Sequence, residues 1–181
     1  MAFREIEPQK ALTFIEPGPV VLVTTFDGKK HNVMTLTWTC PVNFDNDFIL
    51  ATGPWNHSFR ALTETKECVV CIPPPSLLRR AVLAGTVSGK DADKFSSLGF
   101  TAVGAETVKA CLIAECSACL ECTVTDYLPE YSLLVIHCNR VVVNDDVDAR
   151  ICHAVGDGTF FADGEKFVYR DEMKDKLPPG L

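Results

Sequence analysis

Nine cysteines and four histidines are the side chains of this 181-residue sequence best suited to chemistry. Cys68-x-x-Cys71 and Cys116-x-x-Cys119-x-x-Cys122 have metal-ligand spacings, and the second is like the cysteine run of an iron–sulfur cluster. Their setting argues against that chemistry. Glu67–Ile72 reads as a strand, in which residues three apart face opposite ways, and the same holds for Cys116 and Cys119. Cys116 and Cys122 would share a face but stand roughly 20 Å apart at about 3.3 Å per residue. The expectation is buried thiols that pack as small hydrophobes, and no metal site. His31, His57, His137 and His153 are scattered, and His137 falls mid-strand as an ordinary sheet residue. Gly85–Asp91 has the look of a phosphate loop but lacks its spacing and the hydroxyl after Lys90. There is no Gly-x-Ser-x-Gly, no His-Glu-x-x-His and no Gly-x-Gly-x-x-Gly after a strand, so no side chain is assigned a catalytic role.

Bulk properties narrow the field further. A net charge of -7 argues against nucleic acid or an acidic membrane surface as partner, because both demand a basic face. No run of about 18 apolar residues is present, so no membrane-spanning segment is expected. The first residues, with acids and Pro8, do not read as a signal peptide, and the thiols are expected reduced in the cytoplasm. With 47% hydrophobic and 23% charged residues, the chain reads as one globular domain over 1–181, with a core over about 17–170 and a loose tail at 171–181.

The elements that must position these residues are mostly strands. Val20–Phe26 and Asn32–Trp38 flank Asp27-Gly28, a strong hairpin signal, and are expected to pair antiparallel. In the second strand Met34, Leu36 and Trp38 form a core stripe, headed by Asn32. Val33, Thr35 and Thr37 make a small, β-branched face suited to something flat and polar. Phe48–Thr52, Cys68–Ile72, Ala114–Val124 and Ser132–Val143 are further strands, and Thr159–Ala162 with Lys166–Tyr169 is expected to form a last hairpin around Asp163-Gly164. Short helices are expected around Lys10–Phe14, from a Ser58 cap to Thr65, from a Ser76 cap to Ala84, and from an Asp91 cap to Ser97. Strands joined by hairpins, with a few inserted helices, predict a mainly β protein, an antiparallel closed or partly closed barrel.

In this order, five stretches resemble the flavin reductase-like, FMN-binding split-barrel family, and within it the flavoredoxin-like group. They are Pro17-Gly18-Pro19-Val20-Val21-Leu22-Val23-Thr24-Thr25, Asn32–Trp38, Asn56-His57-Ser58-Phe59, Ser88-Gly89-Lys90-Asp91-x-Asp93-Lys94-Phe95, and Leu120-Glu121-Cys122. The resemblance implies an antiparallel split β-barrel, a homodimer, and non-covalent FMN near the dimer interface. By the same resemblance Asn32, Val33, Met34, Thr35, Leu36 and Thr37 line one side of the flavin ring, and Ala51, Thr52 and Gly53 continue that wall. Asn56 and Ser58 suit the FMN phosphate, with Ser88, Gly89, Lys90 and Lys94 around the phosphate or ribityl chain, and His153, Phe160 and Phe161 over the flavin edge. It implies an FMN-dependent oxidoreductase or electron carrier, supplied by NAD(P)H or a redox protein and passing electrons to flavin, ferric iron or a protein. A non-enzymatic haem or flavin barrel, with His57, His137 or His153 as axial ligand, is the alternative, and a cysteine cluster at Cys116, Cys119 and Cys122 is a third.

Overall fold

A computed structural model describes residues 18–43 and 45–169. The expected helix at Lys10–Phe14 and the 171–181 tail lie outside them. Eleven strands and three α-helices follow one another among the described residues. They are β1 Val21–Phe26, β2 His31–Leu36, β3 Thr39–Pro41, β4 Asp47–Ala51, α1 Phe59–Thr65, β5 Glu67–Ile72, α2 Leu78–Thr86, α3 Lys94–Leu98, β6 Ala102–Val103, β7 Leu112–Ile113, β8 Ala118–Leu128, β9 Leu133–Val143, β10 Cys152–Ala154 and β11 Phe160–Ala162.

Seven strands form one antiparallel sheet in the order β2-β1-β5-β8-β9-β4-β3. Register shifts in the β8–β9 pair at Glu121/Cys122 and Val124/Asp126 add local twist, and the sheet curls into the split half-barrel. The Asp27-Gly28 hairpin forms as the sequence requires. The Asp27 carboxylate accepts from the N–H groups of Lys29 and Lys30, Gly28 takes a positive φ of 91°, and Val21 pairs with Leu36 through to Phe26 with His31.

A buried core packs on each face of the sheet. Val21, Val23, Met34, Leu50, Leu62 and Leu134 fill the barrel interior. Val20, Leu22, Val33, Leu77, Ala81 and Ala84 form a second core beneath α2. The expected two-faced β2, apolar on one side and open on the other, is therefore corrected: Val33 is fully buried, and the Thr35 hydroxyl donates to the Ala81 carbonyl of α2. Trp38 is also displaced from the expected core stripe. The strand ends at Leu36, and Trp38 is 53% exposed in the gap before β3.

Local differences have readable causes. Ser58 does not cap α1 with its side chain, because its buried hydroxyl accepts from Asn32 instead. Ser76 falls in a 3₁₀ turn opened by Pro75, ahead of α2. Asp93, not Asp91, caps α3, accepting from the N–H groups of Phe95 and Ser96. β8 starts four residues later than expected because Cys116 and Ser117 turn back, their N–H groups donating to Ile113 and Ile72. The last hairpin pairs β11 with β10, not with Lys166–Tyr169. Gly156 and Gly158 supply two positive-φ residues for its turn, and Asp163 is tied to His153 and to the Ile151 N–H beside β10.

Candidate functional site

A groove of about 270 Å³ runs between β2, the end of α2 and the loop after β4. Met34 and Thr35 form its strand side, Ala84 to Gly89 its helix side, and Trp55, Asn56 and His57 its rim. The loop is shaped by a local turn: Asn56 donates its N–H to the Gly53 carbonyl and accepts from Ser58 N–H through its side chain. The Trp55 ring lies over Gly53, so closely that a Cβ there would fall 2.3 Å from the ring. Glycine at position 53 leaves room for the exposed Trp55 ring to lie there.

Lys94 reaches this groove from α3 while only 5% exposed. Its Nζ donates to the carbonyls of Val33 at 2.8 Å and Ala84 at 2.6 Å, which clamps β2 to α2. Burial pushes its pKa down from the usual lysine value.

A second cavity, of about 280 Å³, lies beside the groove and shares His57 with it. Its lining includes Lys29, Lys30 and Arg60, balanced in part by Asp27 and Glu64. Asn32 and Ser58 face into it as well. One hydrogen bond joins the walls of the two cavities, from Lys30 Nζ to the Gly89 carbonyl at 3.0 Å, and within the second cavity Asn32 Nδ2 donates to Ser58 Oγ at 2.8 Å. Gly89 carries no positive φ, yet a Cβ there would lie 2.2 Å from Asn32 Oδ1, so it is glycine for space alone.

Of the residues expected at a site, Met34, Thr35, Asn56, Ser88, Gly89 and Lys94 meet at the groove, and Asn32 and Ser58 at the second cavity. Val33 is closed into the core, offering only its backbone, and its carbonyl is taken by Lys94. Leu36 packs on the barrel interior, and Thr37 follows the end of β2. Ala51 and Thr52 are held by backbone bonds to Trp38 and Ser132, behind the loop that starts at Gly53. Lys90 is exposed and lines neither cavity. The cations beside Ser58 are instead Lys29, Lys30 and Arg60, which the sequence reading missed. Their signal is two adjacent lysines in a hairpin turn and an arginine two residues after the serine. Only the fold sets them together.

The cysteines and histidines sort themselves differently from their spacing. Cys71, Cys116 and Cys119 share the core under α2, whereas Cys68, Cys122 and Cys138 lie in the barrel interior. The Cys116–Cys122 run is therefore split by the sheet, though Cys116 and Cys119 share a side that the strand reading had separated. His137 bonds Asp47 and His153 bonds Asp163, each at 2.8 Å, while His57 is exposed at the groove rim. Among the described residues no helix is long and apolar enough to cross a membrane.

An antiparallel split barrel with a groove between its second strand and an inserted helix defines a class of protein. The sequence matches the flavin reductase like domain over residues 15–163, and the chain belongs to that family. It is 30% identical over 186 residues to Uncharacterized protein YddH of Escherichia coli (strain K12), covering 91% of this chain and 96% of that one. The fold is similar to flavoredoxin of Desulfovibrio vulgaris (Miyazaki F), with a TM-score of 0.79 at 23% identity, over 93% of this chain and 94% of that chain. It is also similar to flavoredoxin from Methanosarcina acetivorans, with a TM-score of 0.80 at 21% identity, over 98% and 100%.

Proposed function

We propose that this chain binds FMN and serves as a flavin-dependent oxidoreductase or electron carrier. Family membership supports a flavin-related redox role. The observation that carries the finer reading is the adjacency of a groove and a cation-lined cavity that share His57 and are joined by the Lys30–Gly89 hydrogen bond. FMN is a flat ring on a polar chain ending in a dianion, and the two cavities offer surfaces of that kind in that order. Met34, Thr35, the Gly85–Gly89 segment and Asn56 are the residues that would hold the isoalloxazine. Ser58, Lys30 and Arg60 would hold the phosphate through charge-assisted hydrogen bonds.

Bound FMN supplies one- and two-electron transfer, and the chain supplies position, hydrogen bonds and exclusion of water. Lys94 holds the β2 backbone against α2, so the strand side of the groove is fixed before a ligand arrives. Gly89 lets the loop backbone approach Asn32. The rim residues Trp55 and His57 are exposed.

The reading includes a homodimer in the cytoplasm, with either NAD(P)H or a redox protein as electron donor. Support for self-association comes from large apolar side chains left at the surface: Trp38, Val141, Val143 and Phe161 are each more than half exposed. Sedimentation velocity tests the dimer. FMN titration followed by anaerobic addition of NADH or NADPH tests the rest. Flavin absorbance that bleaches with nicotinamide marks a reductase, bleaching only with dithionite marks a carrier, and failure to bind FMN overturns the reading.

A further inference from the structure

Seven of the nine cysteines stand in two groups on opposite sides of the sheet, Cys71, Cys116, Cys119 and Cys152 in one and Cys68, Cys122 and Cys138 in the other, and all are free thiols. Among the described residues no such group is arranged to hold a metal ion. The chemistry left to them is sulfur with sulfur. Cys68, Cys122 and Cys138 are cross-strand neighbours on β5, β8 and β9. In the other group Cys71 and Cys119 are cross-strand neighbours on β5 and β8, and Cys116 lies in the same core.

The ladder between β5 and β8 separates the two groups. Val124 N–H donates to the Lys66 carbonyl at 2.8 Å, which marks Lys66 and Val124 as a hydrogen-bonded pair. Register along β5–β8 runs without a shift, and bonded and non-bonded pairs alternate. Cys68 and Cys122 therefore form a bonded pair. Cys71 and Cys119, three steps along, form a non-bonded pair. In non-bonded pairs the Cα atoms approach to about 4.5 Å and the side chains lean closest, within the range a disulfide spans. Cys71 is fully buried, while Cys119 keeps 4% exposure.

We propose that Cys71 and Cys119 form a reversible dithiol–disulfide couple inside the core, oxidised by a small peroxide. The Cys119 thiolate attacks one peroxide oxygen, giving a sulfenic acid and releasing hydroxide. The Cys71 thiol then displaces that oxygen: the S–S bond forms, the S–O bond breaks, and water leaves with the Cys71 proton. Two thiols lose two electrons, and one peroxide is reduced to two waters. Cys119 is the attacking sulfur because it keeps some exposure, whereas Cys71 is fully enclosed and burial pushes its thiol well up. Cys116 is the bystander, since it precedes β8 and has no cross-strand partner on β5.

The bond ties β5 to β8 in the core that also buries Ala81 and Ala84 of α2, the helix that walls the groove. Oxidation would thus stiffen the scaffold beneath that wall. This inference does not rest on flavin binding.

The test uses the full chain with Cys40→Ser, which removes the exposed thiol. Reduced protein is exposed to hydrogen peroxide, alkylated while folded, and mapped by proteolysis with tandem mass spectrometry. The expected product is a Cys71–Cys119 link that dithiothreitol reverses, with a raised Tm, still formed in Cys116→Ser and lost in Cys119→Ser. Mapping the bond in the otherwise unsubstituted core decides the matter even where Cys119→Ser does not fold. All core thiols remaining alkylatable after unfolding would overturn the proposal, as would a link through Cys116, Cys68 or any other cysteine.

Discussion

Gly89→Ala isolates the contact that holds the two cavities in register. Gly89 is buried, and its backbone does not need a positive φ, so alanine costs nothing in conformation. The new methyl would stand 2.2 Å from Asn32 Oδ1, 2.5 Å from Cγ and 2.7 Å from Nδ2, and something must move. Asn32 is only 8% exposed and its amide is held by Ser58. Overpacking of this kind costs about 1–3 kcal/mol, and turning the amide away gives up a buried hydrogen bond of about 1 kcal/mol. A loss of about 2 kcal/mol lowers the Tm of a chain this size by roughly 4–8 °C. Urea unfolding followed by tryptophan fluorescence measures the stability change, and FMN titration measures the effect on the site. Gly104→Ala is the control, because a Cβ there meets nothing within 4 Å. Gly89→Ala matching the wild type in both stability and FMN affinity would refute the packing argument and the shared wall it describes.

Other perturbations separate the roles further. Lys94→Met leaves the buried carbonyls of Val33 and Ala84 without a donor and should cost about 2–4 kcal/mol in stability, read by urea unfolding, before any effect on flavin is considered. Arg60→Ala should weaken FMN binding about tenfold and flatten its salt dependence, measured by fluorescence titration at two ionic strengths, with little change in folding because Arg60 and its partner Glu64 are exposed. Ser58→Ala strips the Asn32 amide of its acceptor and should lower both stability, by about 1–3 kcal/mol, and FMN affinity. Glu121 gives the pH dependence. Burial pushes its carboxyl up, but the Thr107 hydroxyl and N–H, the Glu106 N–H and the Arg140 guanidinium outweigh burial and bring it from 4.5 down to about 2. A lowered folded pKa stabilises above the unfolded value, so on the order of 3 kcal/mol should be present near neutrality and drain away between about pH 5 and 2. Denaturant midpoints across that range should fall steeply in the wild type and lose that slope in Glu121→Gln.

The strand framework was largely legible, because hairpin signals and alternation are local. Asp27-Gly28 fixed the β1–β2 register without help from the rest of the chain. What the sequence hid depended on tertiary cover. Val33 and Thr35 look like a solvent or ligand face until α2 is placed over them. Trp38 looks like core because the alternation continues past the point where the strand stops. Lys94 reads as a surface cation, and nothing local reveals the two carbonyls that draw it inward. The cation-lined cavity joins a hairpin turn to a helix some thirty residues on, a meeting only the fold defines. Glu121 did leave a trace. A lone acid within the apolar run of β8 asks for a partner, and Arg140 stands opposite it on β9.

The measurement that tests the central claim most directly is FMN titration of the purified, flavin-stripped chain, followed by flavin fluorescence and absorbance, in the wild type and in Lys30→Ala/Arg60→Ala. The account predicts saturable binding by the wild type, with affinity for FMN well above that for riboflavin, and loss of that phosphate-dependent margin in the double variant. No binding, or equal binding of FMN and riboflavin by the wild type, would contradict it.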